Sequence, residues 1–402
     1  MTDHLLRDVR VLDVGSWIAG PAAATVMADF GAEVIKIEPP GGDPYRAMVE
    51  LPGFPVSDLN YAWLLGARNK KSVVLNLTRP EAREVLLTLA RRTDVLLTNQ
   101  PPMRLEPLGL TYERLSAVNP RLIYASVSAY GDVGEERHRS GFDINGWWAR
   151  SGLMDLVRAA GAAPTGSMPG MGDHPTAMAL FGAIMLALYR RERTGRGSQV
   201  STSLIANGAW ANSVLIQAML CEARFLERPP RERAYNALSN IYQCRDGRWF
   251  VLTLLRGPKE WPPFVRALGR PDLLDDARFA TPEERRGNSA LLIKLLDEVF
   301  AQKDWAEWHR LFEAHGITAA PAARLDDVCR DRQLADTDTI VPLQHEGRPG
   351  LRTVMSPIRV AGQPPVPPRR APELGEHTDE VLRGLGYDAE KIQELRSLGA
   401  LG

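Results

Sequence analysis

The segment Pro169-Gly170-Met171-Gly172-Asp173-His174-Pro175-Thr176 places a carboxylate just after two glycines and just ahead of a long apolar run. Glycines let a ligand approach the backbone closely, and the N–H groups at a helix start favour an anion, either a carboxylate held ionised or a developing oxyanion. Asp173 is therefore a candidate nucleophile. Asp is also a common helix cap, and local sequence alone favours that role. His174 follows directly, but adjacent residues on a helix seldom turn their side chains toward one another.

A second candidate is the loop Gly15-Ser16-Trp17-Ile18-Ala19-Gly20-Pro21, set between an apolar run and a helical stretch, where backbone N–H groups favour an anion. A tight turn needing small residues explains it equally well. Glu38 ends the next apolar run, as an acidic ribose partner would, but no G-x-G-x-x-G can be drawn through Gly15 and Gly20. Hydride transfer is a weak alternative. Arg68, Lys70, Lys71 and Arg104 stand near expected strand ends, within reach of a phosphate, and Asn99 offers an amide to a base or a pantetheine. Taken singly, such charges read as solvated surface. The same holds for Arg46 and Arg150, and the pair Trp147-Trp148 reads as core. The seven histidines form no H-x-x-x-H or H-E-x-x-H pair, and neither a G-x-S-x-G elbow nor a G-x-x-x-x-G-K-[ST] loop occurs. Catalytic metal, serine hydrolase and NTPase chemistry have no motif here.

These residues need a scaffold. Apolar runs at Val9–Val14 and Val34–Ile37, with a helical stretch at about Pro21–Phe30 between them, read as a βαβ unit. Further short strands are expected at Val73–Leu77, Val95–Leu97, Leu122–Val127 and Gln199–Leu204, with helices at about Pro80–Arg92, Tyr112–Val118, His174–Arg193 and Asn207–Phe225. Such alternation predicts a parallel sheet covered on both faces. Arg228–Arg233 reads as a linker, after which an Asp246-Gly247 turn between Tyr242–Cys244 and Trp249–Leu254 signals a hairpin. Amphipathic helices follow at about Pro282–Gln302 and Trp305–Ala314, then a Pro-rich stretch and a last short helix near Asp379–Leu385. The expected fold class is α/β. It comprises a large Rossmann-like domain with a parallel sheet, built from residues 1–227 and a returning segment 332–402, and a smaller α+β domain over 228–331.

Composition narrows the function. Lys plus Arg and Asp plus Glu both number 49, leaving no net charge to attract nucleic acid or an anionic membrane. An anionic ligand must then be met by local clusters. Cys221, Cys244 and Cys329 are odd in number and widely spaced, which argues against a disulfide framework and for a reducing cytoplasm. Charges within Met1–Arg10 leave no room for a signal peptide, and no apolar stretch reaches 18 residues.

In order along the chain stand Val11-Leu12-Asp13, Ala19-Gly20-Pro21, Asp29-Phe30-Gly31-Ala32-Glu33-Val34-Ile35-Lys36-Ile37-Glu38, Gly42-Asp43-Pro44-Tyr45-Arg46 and Asn69-Lys70-Lys71-Ser72. Gly141-Phe142-Asp143, Gly172-Asp173, Thr194-Gly195-Arg196-Gly197 and Ala371-Pro372-Glu373-Leu374-Gly375-Glu376-His377-Thr378 complete the series. Each motif is weak alone, but in this order and spacing the chain resembles the family III CoA transferases, a group that extends to the 2-methylacyl-CoA racemases. The resemblance implies a CoA transferase that carries CoA from an acyl-CoA to a free carboxylic acid, with Asp173 as nucleophile and with aspartyl anhydride and aspartyl-CoA intermediates. It implies CoA contacts from Ser16, Trp17, Ile18, Ala19, Leu75, Asn99, Gln100, Arg104, Tyr130 and Lys71. It further implies no metal, no permanently bound cofactor, and an interlocked ring-like homodimer.

Departures from the family pattern are informative. The family's racemases move a proton with the His of a Gly-His-Asp motif, and Phe142 stands there in this chain, which favours transfer. Racemisation through His138 or His174 remains the alternative, and a nucleotide-binding or non-catalytic partner subunit is a third. Pro39, Pro101, Pro107 and Ser128 occupy positions where relatives often carry cationic CoA contacts, leaving Arg104 as a substitute. No glycine-rich flap is found around Leu238–Leu254, so formate and oxalate specificity is not implied.

Overall fold

Six strands assemble into one sheet: β1 (Arg10–Asp13), β2 (Glu33–Glu38), β3 (Lys70–Val74), β4 (Val95–Thr98), β5 (Ile123–Ser128) and β6 (Ser198–Ser203). The structure is a computed structural model that describes residues 4–226 and 228–402. The first three residues of the amino-terminal stretch, and position 227 at the expected domain boundary, lie outside the described residues. Strand order is β3-β2-β1-β4-β5-β6, with every ladder parallel. The fold is thus mixed α/β. The sheet grows outward from β1 to β3, then restarts on the other side of β1 with β4. Loops leaving the carboxyl ends of β1 and β4 diverge, opening the crevice where such sheets bind ligands.

Strand alternation sends Val11, Val34, Val95 and Ile123 to one face and Leu12, Ile35, Leu96 and Tyr124 to the other. Helices Ala19–Asp29 and Asp173–Thr194 cover the first face through Ala23, Met27, Leu180 and Ile184. Pro80–Ala90, Tyr112–Val118 and the C-terminal helices Thr378–Gly384 and Ala389–Ser397 cover the second. The returning tail also protects the edge strand. Thr378 Oγ1 accepts from the Val74 N–H at 3.1 Å, and His377 Nδ1 from the Ser72 N–H at 3.3 Å.

The basic residues that read as solvated surface at Arg68 and Lys70 are in fact buried. Arg68 grips Asp29 with two hydrogen bonds of 2.9 and 2.7 Å, and Lys70 donates to Asp13 at 2.9 Å. Charges that far from water persist only when paired. Arg68→Ala would strand the Asp29 carboxylate, and an equilibrium urea melt should show a loss of about 3–5 kcal/mol. Arg46 and Glu38 are likewise structural partners: the guanidinium takes both Glu38 oxygens at 2.8 Å and lies 3.8 Å over the Trp63 ring. Glu38 is thereby committed within the protein.

The chain divides into two compact units, one of residues 1–154, 166–221 and 332–402, the other of 155–165 and 222–331. In the second, strands Ser239–Gln243, Trp249–Thr253 and Ala319–Pro321 form an antiparallel sheet. Its core is aromatic, with Tyr242, Phe250, Phe264, Phe300, Trp308 and Phe312 all buried. Two helices expected to be continuous are broken. Leu204–Ala211 and Ser213–Leu220 part at Asn212, and Pro282–Gly287 and Ser289–Phe300 part at Asn288. In each case the asparagine amide turns to a backbone carbonyl, of Ser151 at 2.9 Å and of Arg278 at 3.0 Å. Such side-chain bonds compete with the helix. The Ala389–Ser397 helix was not expected from the sequence; Asp388 caps it by accepting from the Lys391 N–H at 2.8 Å. No helix among the described residues is long and apolar enough to cross a membrane.

Candidate active site

Loops from the carboxyl ends of β1, β4 and β5 enclose a cavity of about 320 Å³ together with the start of the Asp173–Thr194 helix. It sits at the sheet's switch point. Ser16, Trp17, Ile18 and Ala19 line it from the β1 loop, Asn99, Gln100 and Arg104 from the β4 side, and Asp173 from the helix. Arg137, His138, Arg139 and Phe142 complete the wall.

Asp173 opens its helix but does not cap it: the cap position is Gly172, and no side-chain capping hydrogen bond is made. The capping role favoured by local sequence is therefore wrong, because Asp173 has helical backbone one residue too late to reach the N–H groups a cap serves. Its half-buried carboxyl is pushed up to about 7, first by burial and then by the nearby charge of Asp143. Gly170, with φ of 80°, makes the turn ahead of it. Gly172 passes so close to Trp147 that a Cβ there would meet the indole Cβ and Cγ at 2.6 Å. Asp143 holds this turn from the other side, accepting from the Gly172 N–H at 3.1 Å and the Ile144 N–H at 2.8 Å. Trp147 and Trp148 are stacked 6.0 Å apart in the π-helical segment Ile144–Ala149, and both are buried. Trp147 backs the turn that carries Asp173.

The β1 loop is equally well held. Asn99 accepts from the Ser16 N–H at 2.8 Å and donates to its carbonyl at 2.7 Å. The amide read as a free ligand contact is thus engaged with this loop. Trp17 meets Phe142 edge to face at 5.7 Å. His138 Nε2 accepts from Arg137 Nε at 2.8 Å, and the Arg139 and Arg150 guanidinium groups lie 5.6 and 5.4 Å over the Tyr130 ring.

Three residues marked as CoA contacts stand apart from this cavity. Leu75 is buried in the core on the sheet's second face. Lys71 lies near the start of β3, at the sheet end opposite the cavity, paired with Glu33 at 3.1 Å and Glu380 at 2.9 Å. Tyr130 is packed behind Gly141, where a Cβ would come within 2.9 Å of its hydroxyl. Arg137, on the short 3-10 helix Glu135–His138, and Arg139 and Ser140 just after it do line the cavity, with no spacing pattern to single them out. Their one sequence signal is position, just ahead of Gly141-Phe142-Asp143.

Residues 6–378 match the family described as CoA-transferase family III. The chain belongs to that family. It is 31% identical over 396 residues to (R)-2-hydroxy-4-methylpentanoate CoA-transferase of Clostridioides difficile, covering 98% of each chain. It is 31% identical over 397 residues to cinnamoyl-CoA:phenyllactate CoA-transferase of Clostridium sporogenes, covering 98% of this chain and 96% of that one. The crystal structure of a CAIB/BAIF family protein from Brucella suis matches with a TM-score of 0.85 at 27% identity, over 96% of this chain and 100% of that one. Membership in family III makes the chain an acyl-CoA:carboxylate CoA transferase, as the ordered motifs implied. CoA thioesters and carboxylic acids are accordingly the substrate classes of this family member.

Proposed function

We propose that the chain transfers CoA by covalent catalysis at Asp173. The observation that carries this reading is an uncapped carboxylate, with no cation paired to it among the described residues, facing the cavity at the sheet's switch point. One oxygen of ionised Asp173 attacks the donor thioester carbonyl, the C–S bond breaks, and CoA leaves as its thiolate. The resulting acyl-aspartyl anhydride is attacked by the thiolate at the aspartyl carbonyl, releasing the donor acid as a carboxylate and leaving an aspartyl-CoA thioester. An incoming carboxylate repeats both steps in reverse. Each step exchanges one anion for another, so no proton moves and no base is needed. The loop walls serve to exclude water, which would hydrolyse the anhydride.

Arg104 and Arg137, both at the cavity wall, are the cations we assign to the CoA phosphates. Phe142 in place of a proton-moving residue supports transfer over racemisation. Helices Leu204–Ala211 and Ser213–Leu220 leave Trp210, Val214 and Leu220 exposed, which supports a homodimer; that its subunits interlock is what the family resemblance implies. Interlocking predicts a dimer that does not exchange folded monomers on dilution, checked by mixing tagged and untagged protein. Three free cysteines support a reducing cytoplasm.

The test is exchange of CoA between a panel of acyl-CoAs and free acids, with hydroxylamine added during turnover to trap an Asp173 adduct seen by peptide mass. Exchange without any such adduct would remove Asp173 from the chemistry. A pH profile adds a second check. Only the carboxylate attacks, so kcat/KM should fall about tenfold per pH unit below about 7 and level off above it, reporting the free enzyme's Asp173.

A further inference from the structure

The backbone of the loop after β1 is held mostly by side chains. Asp13 Oδ1 accepts from the Gly15 N–H at 3.2 Å, Lys36 Nζ donates to the Gly15 carbonyl, and Asn99 takes both polar groups of Ser16. Asp43 Oδ1 accepts from the Trp17 N–H at 3.1 Å and from the Tyr45 N–H at 2.9 Å. Trp17 requires such restraint, since its φ of 63° is a left-handed conformation that a bulky side chain adopts only when its surroundings impose it.

Beneath the loop, Lys36 Nζ lies 2.8 Å from Asp43 Oδ2, with side chains 1% and 2% exposed. Lys36 is also 3.6 Å from Asp13, which Lys70 bonds at 2.9 Å, and the set balances two anions against two cations away from water. Burial works against the charge on Lys36, but Asp13 and Asp43 outweigh it and hold the ammonium above its usual range. Asp43 is thus oriented, with one oxygen against Lys36 and the other on the Trp17 N–H.

We propose that Asp43, seated on Lys36, is a positioning residue for CoA: its acceptor oxygen fixes Trp17 in its left-handed conformation so that residues 16–18 present a preformed wall to the bound thioester. This rests on the CoA-transfer reading of the cavity. A role confined to stability would be met by any neutral replacement of the pair, because removing both charges together leaves neither stranded. Positioning instead needs an acceptor at the Trp17 N–H.

CoA itself is the probe, titrated calorimetrically into the full chain. Lys36→Met with Asp43→Asn removes both charges and keeps an oxygen for Trp17; Lys36→Met with Asp43→Ala removes the oxygen too. The first double variant should bind CoA within about threefold of wild type, and the second on the order of tenfold more weakly. With an acyl-CoA donor, the second should raise KM more than it lowers kcat. Single Asp43→Asn and Asp43→Ala variants carry the same contrast with Lys36 kept beside Asp13, should the double variants not fold. Equal CoA affinity within either matched pair overturns the positioning role. A wild-type chain that does not bind CoA at all overturns the CoA-transfer reading instead.

Discussion

Asp173→Asn is expected to lower CoA exchange by on the order of 10⁴-fold or more, the scale on which losing a covalent nucleophile acts. Asparagine keeps the size of the side chain, so acyl-CoA affinity should change little, and the loss should appear in kcat. The hydroxylamine adduct should disappear with it. Substantial residual exchange with an unchanged KM would place the nucleophile elsewhere. The same variant should gain stability at alkaline pH. With its carboxyl raised from 3.8 to about 7, folded Asp173 keeps a proton that the unfolded chain has released. That contribution is fully present below about pH 4 and is lost as pH rises through about 7. Asparagine has no charge to bury, so the variant should melt above wild type at pH 8, with the difference shrinking toward pH 4. Stability and activity then move in opposite directions at one residue, as expected where a site holds an uncompensated group.

Gly172→Ala is the second large effect. A Cβ at this position would lie 2.6 Å from Trp147 Cβ and Cγ and 2.8 Å from Cδ2, distances that real contacts do not reach. The indole is buried and stacked on Trp148, so the turn must move instead, taking Asp173 with it and lengthening the 3.1 Å bond from the Gly172 N–H to Asp143. A displacement near 1 Å at a reacting group costs about 100-fold in rate. Exchange should fall by about that factor while CoA binding, which we assign to the loops after β1 and β4, stays within a few fold. Comparing kcat with the calorimetric CoA affinity checks the split. A Gly172→Ala chain with wild-type kcat would mean that Trp147 yields and that the turn is not fixed from behind.

The local sequence was a good guide to elements whose causes are local. Val34–Ile37 and Val95–Leu97 fall within β2 and β4, and Tyr112–Val118 is a helix with the bounds its sequence indicated. It was a poorer guide where one side chain decides between two backbone courses. Asn212 and Asn288 interrupt helices that periodicity alone would run through, because their amides find carbonyls outside the helix, of Ser151 and Arg278. The basic cluster at Arg68 and Lys70 misled for the same reason: its carboxylate partners, Asp29 and Asp13, lie 39 and 57 residues away.

At the site the division is sharper. Ordered motifs determined the family and pointed to Gly172-Asp173, since family membership is written in residue types and their spacing. Whether Asp173 caps its helix or faces a cavity depends on a backbone position one residue finer than a motif resolves. Tertiary structure decided that point, because the β1, β4 and β5 loops converge on this helix only once the strand order has set their carboxyl ends side by side. It also separated Leu75 and Lys71 from the cavity that receives Ser16, Trp17 and Asn99. A parallel sheet has one end for ligands and two faces for core, and which end or face a residue occupies is settled by register and direction.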